Sequence, residues 1–374
     1  MNQNEQDHRY DFEVFSSYDR EAKRLSKKYK YTKFYYSKLA KLIRIYTNVC
    51  FKLHLPVDLS AIPIAPELSK IFRKNKYDAV YVSGYIRGVL TIAKINAERS
   101  PVYYHHHVIT DIYGEKSLKG RDIFEACEKI AFVSEYGCQK AKTGIPEYDA
   151  KICLFRNCIN VAKFQLCDKK QIRNLTRKKY DIAENEIVLV FVGRFVANKG
   201  VLQLLKAVRE VVAIHSKVKL LLVGGATYSS NIATKYVNEC LEIVENIKEH
   251  VVLPGYVQND ELPQILAAAD IGCVPSVCEE ACGLTALEMM ASGLPLITTN
   301  AGGLKEYVPE GCKLVSEWHV GMLPNDIIPG LVKAICELVK DKEKRLEYGE
   351  AGKDYAWKFD KNNYLNMFDS FLND

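Results

Sequence analysis

Between residues 187 and 298 one pattern recurs: a short unbroken apolar run, a glycine or polar loop, then apolar residues at helical spacing. Ile187-Val-Leu-Val-Phe-Val192 ends in Gly193 and precedes a helical set at Leu202, Leu204, Leu205, Val208 and Val211. Val218-Lys-Leu-Leu-Leu-Val223 ends in Gly224-Gly225, and an amphipathic stretch runs on to about residue 249. Val251-Val-Leu253, Gly255-Tyr-Val257, a helix near 261–268, a strand at 271–274, a helix at 285–291 and a strand at 296–298 follow. Unbroken apolar runs, unlike alternating ones, mark strands buried on both faces. Their alternation with helices predicts an α/β fold with a parallel sheet covered on both sides. Ligands of such sheets bind beyond the C-terminal ends of the strands.

The first half alternates less cleanly. Strands are expected at 79–83, 102–106 and 130–134, with further ones at 12–16 and 34–36 flanking a basic helix. At 374 residues the chain is long for one core and suits two domains. The expected division is an acceptor-side domain over 1–160, a donor domain over 161–354, and a helix over 355–374 returning to the first domain. Twelve cysteines are scattered without metal-ligand spacing, which points to reduced structural thiols in the cytoplasm. There is no 18-residue apolar run and no apolar leader at the N-terminus.

Two constellations carry chemistry. In Glu279-Glu-Ala-Cys-Gly-Leu-Thr-Ala-Leu-Glu288 a strand gives way to a loop and then to a helix starting near Leu284. The first N–H groups of a helix lack intrahelical partners and carry partial positive charge, so Cys282, Gly283, Leu284 and Thr285 form a natural cradle for a diphosphate. At Gly283 the missing Cβ would let an anion reach the backbone. Glu280 and Glu288 flank this cradle, and ionised carboxylates suit hydroxyl-rich groups because they only accept hydrogen bonds. The second constellation is Gly193-Arg-Phe-Val-Ala-Asn-Lys-Gly200. There Arg194 and Lys199 could neutralise a diphosphate leaving group without a metal.

Together these resemble the GT-B glycosyltransferases, specifically the retaining glycosyltransferase family 4. The resemblance rests on Glu280-x7-Glu288, the Gly193-Arg-x4-Lys-Gly200 loop, Pro275-Ser276, Ala291-Ser-Gly-Leu-Pro295 and Ala301-Gly-Gly303. It implies two Rossmann-like domains facing a cleft and a nucleotide-sugar donor, UDP-linked by preference, with no cofactor or metal. On the matching positions Arg194 and Lys199 would bind the diphosphate beside Gly193. Glu280 would hold the donor sugar and Glu288 the ribose. Tyr256 and Val257 would lie beside the base, and Asn157 would sit at the interdomain hinge. In Pro101-Val-Tyr-Tyr-His-His-His107, His107 fits the family's histidine near the donor sugar, with His105 next, so Glu280 and His107 are the candidate catalytic residues. Neighbouring histidines on a strand point to opposite faces, so the three cannot converge on one metal ion. Family members open with an apolar strand and a Gly-Gly loop, whereas the first glycine here is Gly84, so the first domain is expected to lack its first strand.

The net charge of +6 is concentrated in one segment. Residues 20–52 hold eleven Lys or Arg against the single acid Glu21, a local +10, so the remainder sums to −4. Aromatic and aliphatic residues interleave with this charge, and no nucleic-acid motif accompanies it. The expected partner is therefore an anionic membrane surface at the cytoplasmic face, where the family often glycosylates lipid-linked acceptors. Two functions follow from the resemblance. One is an active hexosyltransferase-type enzyme for capsule, lipopolysaccharide or a similar surface polysaccharide. The other is a transferase-like binding subunit that supports a partner protein.

Overall fold

The computed structural model describes residues 10, 13–16, 30–33, 65–84, 86–96, 99–109, 120–225 and 234–373. The described strands are β1 (Glu13–Ser16), β2 (Lys30–Lys33), β3 (Val80–Ser83), β4 (Val102–His106), β5 (Lys129–Phe132), β6 (Ile152–Leu154), β7 (Ile187–Arg194), β8 (Val218–Gly225), β9 (Val251–Gly255), β10 (Ile271–Val274), β11 (Leu296–Thr299) and β12 (Lys313–Ser316). Two compact units result. One comprises Met1–Val133, Cys138–Phe155 and Tyr364–Asp374, the other Ser134–Gly137 and Arg156–Asn363.

In the second unit six parallel strands lie in the order β12-β11-β10-β7-β8-β9. The unbroken apolar run of β7 has its expected cause. Val188 and Val190 belong to the core on one face, Leu189 and Phe191 to the core on the other. Successive side chains of a strand point to opposite faces, so a sheet covered twice needs apolar residues at every position. The helices Val201–Val212 and Ile328–Lys340 fill the face of Leu189, while Leu262–Ala268 and Leu284–Ala291 fill the other.

The first unit holds a four-stranded parallel sheet, β3-β4-β5-β6. β1 and β2 pair in parallel as a separate two-stranded sheet. β1 falls on the expected strand. Its partner is Lys30–Lys33, whereas residues 34–36 and the rest of the basic segment 20–52 lie outside the described residues. Val102 and Tyr104 face one core of this sheet, and Tyr103 faces the other. That second face is covered by the C-terminal helix Tyr364–Asn373, whose Phe368 and Phe371 pack with Tyr103, Ala131 and Phe155.

The returning helix thus begins at Tyr364, not at residue 355. Tyr355, Ala356 and Phe359 pack into the second unit's core instead. Likewise the chain enters the second unit after Phe155, which is fully buried in the first unit, while Ile159 and Val161 belong to the second core. The incoming and outgoing passages run side by side in the second unit. Ile159 N–H donates to Phe359 O at 2.9 Å, Lys361 N–H to Ile159 O at 2.8 Å, and buried Asp360 accepts from Val161 N–H at 3.0 Å.

All eleven cysteines among the described residues are free thiols. Among the same residues no helix is long and apolar enough to cross a membrane.

Candidate functional site

In the second unit the chain leaves β7 toward β8 on one side, while β10 leads to β11 on the other. The connections leaving the two central strands therefore run to opposite sides, the arrangement that places a crevice where the strand order reverses. Both sequence constellations emerge there: Arg194 is the last residue of β7, and Pro275-Ser276 follow β10 directly. Sequence spacing alone gave no sign that these strands are neighbours.

Close backbone contacts lock the two loops together. Val277 N–H donates to Asn198 O at 3.0 Å. Gly200 adopts a left-handed φ of 68°, and a Cβ there would lie 1.8 Å from Pro275 O, so only glycine fits. On the far side Thr299 Oγ1 donates to Ser276 O at 2.6 Å. The Ala301-Gly-Gly303 motif also gains a reason. Gly302, at φ 57°, backs onto Glu280, where a Cβ would come within 2.6 Å of its carbonyl oxygen, and Gly303 N–H donates to that same oxygen at 2.8 Å.

These contacts bring Lys199 to Glu280. Lys199 Nζ lies 2.5 Å from Glu280 Oε1, and Ser276 Oγ donates to the same oxygen at 2.5 Å. Oε2 of Glu280 has no hydrogen-bond partner among the described residues. The carboxylate is thus held by one oxygen, and the other keeps its capacity to accept a hydrogen bond.

Glu288 repeats this arrangement one helical turn further on, in the helix Leu284–Ala291. Asn259 Nδ2 donates to its Oε1 at 3.2 Å. Lys163 Nζ in turn bonds Asn259 Oδ1 and, at 3.0 Å, Asp260 Oδ1. Burial raises the Glu288 carboxyl above the ordinary range, opposed by the Asn259 hydrogen bond and the Lys163 charge. A hydroxyl ligand donates more strongly to the ionised form. Affinity for a nucleotide should therefore fall on acidification at a pH above that of an ordinary carboxylate, about 4.3. A calorimetric pH series should show this acid limb in the unaltered chain and not in Glu288→Gln.

The helix itself opens at Gly283, which occupies the cap position and offers no side-chain acceptor to the first N–H groups. The structure adds a packing reason for glycine here. A Cβ at Gly283 would lie 2.4 Å from Leu304 Cδ1, so glycine also serves packing between two helices. Leu284 is exposed and Thr285 half-buried at the helix start. Asn157 Nδ2 donates to Cys282 Sγ at 3.4 Å, and burial pushes that thiol up to about 11, which leaves it unreactive at neutral pH. After β9, Tyr256 is exposed and Val257 packs against the core. Gly193 lies in β7 with Phe191 beneath it.

In the first unit His107 follows β4 and its Nε2 lies 2.9 Å from Ser83 Oγ. His105 and His107 share one side, their ring centroids 4.1 Å apart, while His106 packs on the other against Tyr104 and Phe132. Phe155 O, 2.9 Å from His105 Nε2, can only accept, so Nε2 carries the proton and Nδ1 accepts from Tyr81 Oη at 2.7 Å. Burial, reinforced by the His107 charge, lowers His105 to about 3 and His106 to about 4, so both stay neutral. No group of three or more His, Cys, Asp or Glu among the described residues is placed to hold a metal ion.

Residues 172–355 match the family model of glycosyl transferases group 1. Over this segment the chain is similar to the group 1 glycosyl transferases. The segment contains Arg194, Lys199, Glu280 and Glu288, and leaves out Asn157 and His107. A Bacillus subtilis (strain 168) protein named putative glycosyltransferase YtcC is 25% identical over 262 residues, covering 68% of this chain and 62% of that protein. The lipopolysaccharide 1,2-N-acetylglucosaminetransferase of Salmonella typhimurium is 28% identical over 197 residues, half of this chain and half of that enzyme. The chain thus spans between half and two thirds of the length of these two relatives. Among solved structures, a glycosyltransferase from Rickettsia africae superposes with a TM-score of 0.72 at 18% identity over 100% of this chain and 93% of its own. Anabaena HepE in complex with UDP-glucose gives 0.70 at 18% identity over 96% and 90%. The shared fold is GT-B.

Ser276, Asn259 and Lys163 were not singled out for these contacts by the sequence. Ser276 stood in a recognisable lead-in, but nothing in the sequence linked residue 163 or 259 to 288.

Proposed function

We propose that the chain transfers a hexose from a nucleotide diphosphate, UDP by preference, to a glycan or lipid-linked acceptor with retention of configuration. The supporting observation is the Lys199–Glu280 pair at the strand-order reversal, beside the open N-terminus of the helix Leu284–Ala291. Arg194, Lys199 and the amides near Gly283–Thr285 oppose the charge that develops on the leaving diphosphate. Glu280 accepts from sugar hydroxyls and Glu288 from the ribose. Retention and membership of family 4 rest on the Glu-x7-Glu and Gly-Arg-x4-Lys-Gly resemblance. The UDP preference is supported by HepE, solved with UDP-glucose, and a role in surface polysaccharide by the Salmonella relative. Incubation with UDP- and GDP-sugars, followed by proton NMR of the product, tests the reading. An anomeric configuration opposite to that of the donor would overturn retention, and the absence of any nucleotide-sugar binding would overturn the whole.

Turnover should not need a divalent metal, since two fixed cations and a helix N-terminus already face the leaving group. Activity is expected to survive EDTA unchanged. Loss with EDTA and recovery with magnesium or manganese would refute this.

The basic segment 20–52, +10 in charge, suits peripheral binding to an anionic cytoplasmic leaflet. At roughly 1 kcal/mol per basic residue near such a surface, four engaged residues suffice. Co-sedimentation with phosphatidylserine vesicles should occur at low salt and disappear at about 1 M, where the Debye length is about 3 Å. Equal binding to neutral vesicles would contradict it.

A further inference from the structure

We infer that Ser276 is a positioning residue: together with Lys199 it pins one oxygen of Glu280 and so aims the other at a hydroxyl of the donor sugar. The inference rests on the nucleotide-sugar reading above and goes beyond it by assigning the residue that sets the carboxylate's orientation.

The geometry carries the argument. A glutamate side chain has three rotatable bonds, so a carboxylate at the rim of a crevice samples several orientations unless something fixes it. Lys199 alone fixes it poorly, because an ammonium is a point charge on a flexible stem. Its side chain is 29% exposed, and a diphosphate in the crevice would compete for it. Ser276 is different. It is buried, and it has a short side chain with a single rotatable bond to the hydroxyl oxygen. Its backbone is clamped by the 2.6 Å bond from Thr299. Its hydroxyl donates to Glu280 Oε1 at 2.5 Å, the length of a charge-assisted O–H···O⁻ bond. When phosphate draws Lys199 away, Ser276 still holds Oε1, and Oε2 keeps its direction. The anchor lies four residues before the glutamate, across the turn that separates β10 from the helix.

The test compares two ligands on three chains. The ligands are whichever of UDP-glucose, UDP-N-acetylglucosamine and GDP-mannose binds the unaltered chain tightest, and its own nucleoside diphosphate. Ser276→Ala removes only the hydroxyl, and Ser276→Thr restores it. Calorimetry should show the nucleotide-sugar weakened roughly tenfold in Ser276→Ala, with the bare diphosphate changed less than about twofold. kcat should fall with the nucleotide-sugar affinity, and Ser276→Thr should recover both. A merely structural role would weaken both ligands alike or lower the melting temperature of the free chain. Either result, or full activity in Ser276→Ala, overturns the inference while leaving the nucleotide-sugar reading intact. Failure of the unaltered chain to bind any of the three sugars overturns that reading and this inference with it.

Discussion

Glu280→Gln should leave the affinity for a bare nucleoside diphosphate close to its original value while weakening the intact nucleotide-sugar and nearly abolishing turnover. Glu280 is held by Ser276 and Lys199 through one oxygen, and on the proposed reading its other oxygen serves the sugar rather than the nucleotide. Glutamine keeps the shape but replaces one acceptor with a donor, so a sugar hydroxyl there loses its partner. That costs about 1.5–3 kcal/mol for a bond to a charged group, roughly 10- to 150-fold in affinity. Glu288→Gln should do the reverse. It should weaken the diphosphate and the nucleotide-sugar by similar factors, because the group it serves is common to both. Isothermal titration of each variant with the two ligands decides the matter. Identical profiles for the two variants would show that the carboxylates do not divide the donor between them.

Arg194→Ala and Lys199→Ala should each reduce affinity for a nucleoside diphosphate by about 1.5–3 kcal/mol and leave the nucleoside unaffected, since only the phosphates meet a cation. The structure separates the two variants further. Lys199 is ion-paired with Glu280, a carboxylate whose side chain is only 12% exposed. Removing the lysine strands that charge, which is costlier than removing a solvated one. Lys199→Ala should therefore also disturb sugar binding and lower the thermal stability of the free chain, whereas the double variant Lys199→Met, Glu280→Gln should regain that stability. Titration with uridine, UDP and a UDP-sugar, alongside thermal melts, reads each of these effects. Equal loss for uridine and UDP would remove both residues from the phosphate site.

The strands of the second unit were legible because a strand covered on both faces must be apolar throughout. β7, β8, β10 and β11 are such runs, and each lies within about two residues of its expected position. β6 and β12 were not expected. Each is short, and β12 carries the buried Lys313, whose ammonium bonds Val308 O, so its sequence lacks the apolar signal. The chemistry-bearing residues were legible as local patterns, since a glutamate eight residues before another across a turn and helix start is a statement about neighbouring sequence.

What the sequence by itself determined, then, is most of the buried parallel strands and the local patterns that hold Arg194, Lys199, Glu280 and Glu288. Only the tertiary structure decided which strands are neighbours. β7 and β10 lie side by side although 76 residues separate Arg194 from Ile271, and that adjacency pairs Lys199 with Glu280 across 81 positions. It also joined Asn259 and Lys163 to Glu288, assigned Gly283 to packing against Leu304, and started the returning helix at Tyr364. The physical reason is one of range. Periodicity and loop chemistry are fixed by residues a few positions apart, whereas strand order, hydrogen-bond partners and the neighbour of a missing Cβ come from parts of the chain that meet only when the core has closed.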